Sequence, residues 1–201
     1  VTYDDHEVDN DWAGMFSEED DSGRFPVAVP PEIFALRRQM ALQAWYEAMP
    51  LRRAQLPRGP GITAYRRLRY GRLLTLHALD TRGFRDDQPC GGGVKGGCAE
   101  RLRPGAQMLG AAQERWLMQG LVEGAATWSL LAQQVGMVPR RFGEGPDFAF
   151  SMDKWDGYAD ARARLTRFIH ERGVGNVVVL AGDLHKAWAG EVRLDPGNDA
   201  S

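Results

Sequence analysis

Two groups of side chains in this sequence have the chemistry of metal ligands. The first lies near the start and the second near the end: Asp4, Asp5, His6, Asn10 and Asp11, and then Asp183 and His185. Hard and borderline metal ions prefer carboxylate, imidazole and amide ligands of this kind. Ions held by shared carboxylates can bind phosphoester oxygens and lower the pKa of a bound water. We therefore predict that the two groups face each other across one metal site.

The first group has two other interpretations. A solvated acidic turn would have the same composition, although acids this close repel one another unless a cation lies between them. A calcium loop of the EF-hand type would begin at Asp5. That loop needs Gly at its sixth position and Glu at its twelfth, where this chain has Asn10 and Phe16. We therefore reject the calcium loop and keep the acidic turn as the alternative.

The second group directly follows an apolar run, so it lies where a buried strand would end. If the chain stays extended there, Asp183 and His185 point to the same side and can reach one ion. Gly182 would permit a sharp turn before them. The alternative is a hydrogen-bonded pair or helix cap at the strand end.

Other polar residues are weaker candidates. His77 lies in an apolar run and is expected to be a core residue, and His170 lies near a helix end, where its charge suits the dipole. Arg82 could hold a phosphate, but a structural contact with Asp80 is slightly favoured. The sequence contains no phosphate loop, zincin motif or nucleophile elbow.

Alternating apolar residues and turn signals predict the elements that position these groups. We expect a hairpin of strands at 65–70 and 73–79, a helix at 110–123, a strand at 128–135, a helix at 158–172 and strands at 176–181 and 188–194. The helix at 158–172 followed by an apolar strand that ends in polar residues is the α/β pattern, with a site at the carboxyl end of a strand.

A further helix is expected to begin after the Pro30-Pro31 pair and to end before Pro50. Its apolar spacing indicates an inward face made by Ile33, Leu36 and Met40, with Arg37 and Arg38 off that face.

Bulk properties exclude some classes of protein. The 201 residues are enough for one domain with a sizeable core, and the net charge of -2 argues against a broad nucleic-acid-binding surface. No run of 18 apolar residues exists, so no membrane span is expected. The opening residues also lack the basic start and apolar stretch of a signal peptide.

Cys90 and Cys98 flank a glycine-rich loop of seven residues. The loop is flexible enough to close a disulfide, but two reduced thiols fit the sequence equally well. A zinc site is less favoured because no second ligand pair lies nearby.

Four segments together resemble the PhoD-like phosphatase family. They occur in the family's order and extend from Thr2 to about Leu194: TYDDHEVDNDWAG, RRLRYGRLLTLHALDTRGFRDDQPC, MLGAAQERWL and VVLAGDLHKAW. The resemblance implies that residues 1–201 are part of a single metallophosphatase catalytic domain. It implies an α/β fold, a four-layer sandwich of two mixed sheets flanked by helices.

The resemblance also implies iron and calcium as cofactors and phosphomonoesters or phosphodiesters as substrates. Asp183 and His185 match the family's Gly-Asp-x-His ligands, expected on iron. Asp4, Asp5 and Asn10 are the further expected ligands, and His6 is expected to contact the phosphoryl oxygen or the leaving group. The family often has two consecutive Asn where this chain has Asn10-Asp11, so either of these two residues could be the ligand.

Members of the family are exported, so the resemblance favours a secreted, periplasmic or cell-surface location, a monomer, and a disulfide between Cys90 and Cys98. The family's first ligand block, a Gly-Asp-Tyr-type segment with a cysteine ligand, has no match in this sequence. We therefore expect a domain incomplete at its N-terminus, with weak or no activity as it stands. A non-catalytic remnant that only binds a partner is the alternative.

Overall fold

The computed structural model describes residues 1–18, 27, 29–144 and 148–194. Within these residues, three α-helices and six strands follow one another: α1 (Pro31–Ala48), β1 (Arg66–Tyr70), β2 (Leu74–Ala78), β3 (Val94–Gly96), α2 (Gly110–Glu123), β4 (Trp128–Gln133), β5 (Ala149–Ser151), α3 (Ala159–Glu171) and β6 (Val177–Ala181). The predicted hairpin, the helices and the strands before Asp183 are confirmed to within a few residues.

The main sheet has the strand order β1-β2-β4-β6. β1 is antiparallel to β2, whereas β2, β4 and β6 are parallel to one another. A second sheet pairs β3 with β5 in antiparallel fashion. The mixed α/β class with two sheets is thus confirmed, and the parallel strands β2, β4 and β6 bring their carboxyl ends to one edge of the main sheet.

Two clusters of buried side chains hold this edge in place. The larger packs α2 and α3 on the main sheet through residues such as Leu121, Leu131 and Leu165. The smaller joins Tyr3 and Trp12 of the N-terminal segment to α1 and its neighbours. Because the first ligand group lies between Tyr3 and Trp12, burial of these two rings fixes that group against the rest of the fold.

The inward face of α1 differs from the prediction. Ile33, Leu36 and Met40 are 56%, 56% and 62% exposed, and the buried residues are Phe34, Arg38, Leu42 and Trp45. The large aromatic rings decide the orientation, because they pack on Trp12 and Tyr3.

Arg38 can share the buried face of α1 because both of its terminal guanidinium nitrogens find acceptors there. Its guanidinium donates to the carbonyl of Gly14 at 2.7 Å and to that of Gly83 at 3.2 Å. It also lies over the ring of Trp12. Arg38, which the sequence pattern placed off the inward face of α1, is therefore a core residue.

The predicted strand at 188–194 is wrong. This segment has no regular structure, because the chain beside it, near Val138 and Arg140, is itself irregular and offers no strand to pair with.

The glycine-rich loop is crosslinked. The structure contains the disulfide between Cys90 and Cys98, with the two Cα atoms 6.2 Å apart. The bond encloses β3, which pairs with β5 just before the site described below. In the described part of the chain, no helix is long and apolar enough to cross a membrane.

His77 is a core residue, as predicted, but only one of its nitrogens is paired within the described part of the chain. Nδ1 accepts a hydrogen bond from Arg67 at 3.3 Å, while Nε2 has no partner. Burial and the neighbouring positive charges of Arg67 and Arg69 lower the pKa of His77 to about 4. The unfolded chain therefore takes up this proton at a higher pH than the folded protein.

This difference predicts a pH-dependent loss of stability. The free energy of unfolding includes a contribution from keeping His77 neutral. This contribution is fully present above the ordinary pKa of 6.5 and is lost as the pH falls toward 4. The loss is expected to be at most about 3 kcal/mol. In urea titrations between pH 7 and 4, His77→Phe should show a correspondingly smaller fall in free energy of unfolding. His170→Phe, at an exposed histidine, is the control and should follow the original chain; equal slopes for all three proteins would contradict this account.

Candidate active site

A cavity of about 430 Å³ lies at the carboxyl edge of the main sheet. Residues from both sequence groups line it, together with one lysine: Asp4, Asp5, His6, Glu7, Asn10, Asp11, Lys154, Asp183 and His185. All seven residues singled out from the sequence as candidate ligands or catalytic groups are in this list, Asp11 included. The prediction that the two groups lie close together is confirmed.

The N-terminal segment forms a tight turn that presents its acids to the cavity. The buried carboxylate of Asp5 accepts a hydrogen bond from the N–H of Asp11 at 3.0 Å, and the Asp5 carbonyl accepts from Val8 and Asp9. Burial acts to raise the pKa of Asp5, but the Asp11 N–H and the Arg82 charge outweigh it and hold this pKa below its ordinary value. Asp5 is therefore a fixed anion, whereas His6 beside it is 78% exposed at its side chain.

The turn after β6 is not extended, contrary to the prediction. Asp183 and His185 have φ angles of 60° and 51°, in the left-handed region that residues other than glycine seldom adopt. Asp11, with φ of 55°, has the same conformation and lines the same cavity. Backbone strain of this kind costs about 1–3 kcal/mol per residue and is typical of functional sites.

Arg82 is the centre of the charge arrangement. Its side chain is fully buried, with Nε 2.8 Å from Asp4 and Nη1 2.5 Å from Asp153. A third nitrogen, Nη2, lies 3.5 Å from Asp183. The favoured contact with Asp80 also exists, through the Arg82 backbone N–H at 3.0 Å. The guanidinium thus neutralises carboxylates beneath the cavity and does not line it.

Asp153 and Lys154 complete the site and were missed in the sequence. Asp153 is buried; Arg85 at 2.7 Å, Arg82 and Lys154 overcome the opposing effect of burial and hold its pKa well below the ordinary value. The Lys154 ammonium lies 2.5 Å from Asp153 and also contacts Asp183. The available signal was an Asp-Lys pair directly after the short run that forms β5.

Hydrogen bonds between distant segments fix the walls of the cavity. The Gln134 side-chain amide donates to the carbonyls of Tyr3 at 2.9 Å and Leu79 at 3.0 Å, and its oxygen accepts from the N–H of Thr81 at 2.9 Å. The buried Asp80 carboxylate accepts from the Tyr3 hydroxyl. The N-terminal segment, the loop after β2 and the loop after β4 are thereby joined at the site.

Two sets of carboxylates have the geometry of a cation site. In each set the ligand atoms lie within 4.8 Å of one another: Asp4, Asp5 and Asp183 in one, and Asp11, Asp153 and Asp183 in the other. Oxygens about 2.4 Å from one calcium ion cannot lie farther apart than about 4.8 Å. Asp183 belongs to both sets, as a bridging ligand would.

The electrostatics also fit a cation. Burial and the facing carboxylate of Asp153 raise the pKa of Asp11 to about 6, which a nearby positive ion would reverse. The donor set consists of oxygens and suits a hard ion such as calcium. The histidine expected on iron, His185, lines the cavity but belongs to neither set.

Comparison with known proteins gives consistent matches. The sequence profile of the family described as PhoD-like phosphatase matches residues 1–201. The chain is 43% identical over 195 residues to alkaline phosphatase D of Bacillus subtilis (strain 168). The aligned region covers 97% of this chain and 32% of that protein. A solved structure of PhoD matches the whole chain with a TM-score of 0.89 and 41% identity, over 37% of that structure. The chain thus spans about a third of the length of the relatives it matches.

Proposed function

Because the chain belongs to the PhoD-like phosphatase family, we propose that it is part of a catalytic domain that hydrolyses phosphomonoesters or phosphodiesters with the help of bound metal ions. The observation that supports this most directly is that Asp4, Asp5, Asp11 and Asp183 line one cavity, with a carboxylate oxygen of the buried Asp153 within 4.8 Å of Asp11 and Asp183. The relative named alkaline phosphatase D points to the same reaction class.

We propose that Asp183 is shared between two cation positions. Asp4 and Asp5 would complete one, and Asp11 and Asp153 the other, with Asn10 available as an amide ligand. Calcium fits these oxygen donors; iron would need His185 to turn toward Asp183. When bound, such ions polarise the phosphoryl oxygens and make a bound water nucleophilic near neutral pH.

The protein's own side chains would bind and orient the substrate. Lys154 lies at the cavity with an ammonium suited to a phosphoryl oxygen, and Arg82 beneath it keeps the acids together while the site is loaded. His6 lines the cavity with its side chain 78% exposed, and it would donate a proton to the leaving oxygen. The Gln134 and Asp80 hydrogen bonds hold these groups in register.

The same reasoning extends to the biological setting. We propose a monomer that acts outside the cytoplasm on a small or polymeric phosphoester, for which the Cys90–Cys98 disulfide is suited. The competing proposal is a binding module with no turnover.

Metal removal and reloading separates the two proposals. The protein is treated with EDTA and assayed with 4-nitrophenyl phosphate and bis(4-nitrophenyl) phosphate, before and after addition of calcium with or without iron. We expect hydrolysis to fall at least about 100-fold on chelation and to return on reloading. Stoichiometric metal binding without turnover would favour the binding module, and turnover unaffected by chelation would contradict the proposed metal site.

A further inference from the structure

A second group of residues, outside the cavity, combines arginines with aromatic rings. Four close pairs join the turn after β3, the loop after β4, β5 and the segment after β6: Arg101–Phe150 at 4.0 Å, Arg140–Phe142 at 4.4 Å, Arg141–Phe148 at 4.4 Å and Arg140–Trp188 at 5.1 Å. Arg140 takes part in two of these pairs, one within its own loop and one with Trp188 of the segment after β6.

The chain path places this cluster beside the cavity. The segments after β4 and β6 run together: Gly182 donates to the carbonyl of Gln134 at 2.9 Å, and farther on Trp188 packs on Arg140. His185 lines the cavity, and Trp188 follows it by three residues. Three residues span at most about 11 Å, so the Cα atom of Trp188 lies within that distance of His185, a residue of the cavity wall.

The backbone of Arg140 is fixed by a hydrogen bond, while the charge of its guanidinium is not paired with a carboxylate of the described residues. Its backbone N–H donates to Asp156 at 3.0 Å, and Arg162 at 2.7 Å holds that carboxylate. Among the residues that the structure describes, no carboxylate pairs with the Arg140 guanidinium. The N–H groups at the edge of a stacked guanidinium are well suited to a phosphate.

Trp188 supplies a different chemistry at the same place. Its side chain is 61% exposed although a guanidinium lies over the ring. A large aromatic ring that stays in solvent beside a fixed cation can stack on a planar group. Stacking of a nucleobase on such a ring contributes about 1–3 kcal/mol.

We propose that Arg140 and Trp188 form a subsite for the part of a nucleotide phosphodiester beyond the bond being cleaved. Arg140 binds the next phosphate and Trp188 stacks on the attached base. The subsite rests on the proposed hydrolase function and selects single-stranded oligonucleotides among its possible substrates. It is local, and so agrees with the near-neutral overall charge.

The test compares a substrate that reaches the subsite with one that does not. The calcium-loaded protein is assayed with the thymidine trinucleotide d(TTT) and with glycerol 1-phosphate. Trp188→Ala and Arg140→Ala should each raise KM for d(TTT) about tenfold and leave kcat and KM for glycerol 1-phosphate unchanged. Trp188→Phe should retain most of the affinity. Arg172→Ala, which removes an exposed arginine paired with Phe168 elsewhere, is the matched control.

Direct binding keeps the result independent of turnover. Titration of fluorescein-labelled d(TTT) in EDTA, where hydrolysis is expected to stop, should show the same weakening in both variants and a smaller salt slope in Arg140→Ala. If no substrate is hydrolysed but d(TTT) binding depends on both residues, the proposed function fails and the subsite remains. If hydrolysis occurs and neither variant alters d(TTT) binding or KM, the subsite is overturned and the function remains. Equal binding of base-free glycerophosphoglycerol, unaffected by Trp188→Ala, would also overturn it.

Discussion

Replacement of Asp183 by Asn is expected to lower kcat/KM for phosphoester hydrolysis by at least about 100-fold, because losing even a partner of a metal ligand costs about 10–100-fold. Asp183 is the one residue common to both carboxylate sets. Asn tolerates the left-handed backbone at this position, so the substitution removes charge without forcing the chain to refold.

Calcium binding should change together with activity. Isothermal titration is expected to show weaker calcium binding in Asp183→Asn, with thermal unfolding still cooperative. Glu191→Gln is the control, since it removes an exposed carboxylate eight residues farther along the same segment. Unchanged activity and calcium affinity in Asp183→Asn would refute its assignment as the shared ligand.

Replacement of Arg82 by Met is expected to reduce the free energy of unfolding by about 3–5 kcal/mol. The Arg82 guanidinium is fully buried and contacts carboxylates of Asp4 and Asp153. Met fills part of the space, but it leaves the carboxylates of Asp4 and Asp153 without this counterion. Leaving a buried carboxylate unpaired costs far more free energy than losing an exposed ion pair.

The Arg82 variant should be measured by urea unfolding in EDTA and again in calcium. Calcium should reduce the deficit, because it brings positive charge to the same carboxylates. Arg103→Met is the matched control: Arg103 pairs with Asp86, but the two side chains are 59% and 36% exposed, so a loss below about 1 kcal/mol is expected. A similar small loss in both variants would mean that Arg82 does not hold the site together.

Local patterns were sufficient for much of the fold. The apolar run before Gly182 and the hairpin around Gly71 each have a strong periodicity or turn signal, and both elements form where predicted. The two ligand groups were recognisable because acids and histidines cluster in sequence. The parallel arrangement of β2, β4 and β6 places Asp183 and His185 at the carboxyl edge, whereas burial of Tyr3 and Trp12 and the hydrogen bond from Gln134 to the Tyr3 carbonyl bring the first group to the same edge.

Long-range partners decided what the sequence left open. The face of α1 depended on which side chains could reach Tyr3 and Trp12, and burial of Arg38 depended on carbonyls of distant loops. Asp153 and Lys154 belong to an irregular stretch, so no periodicity marked them. Gln134 is an ordinary polar residue in the sequence, and only its four hydrogen-bond partners, Thr2, Tyr3, Leu79 and Thr81, mark its role.

The side-chain amide of Gln134 spans 131 residues to Tyr3, and Arg82 reaches across 101 residues to Asp183. Contacts of such high sequence separation are slow to form, because the entropy of closing a long loop is lost before the contact contributes any energy. No short piece of the chain can therefore assemble this site during synthesis. We therefore expect the cavity to form late in folding, after the contacts that are local in sequence, so that the acids near the start of the chain meet the carboxyl edge of the sheet last.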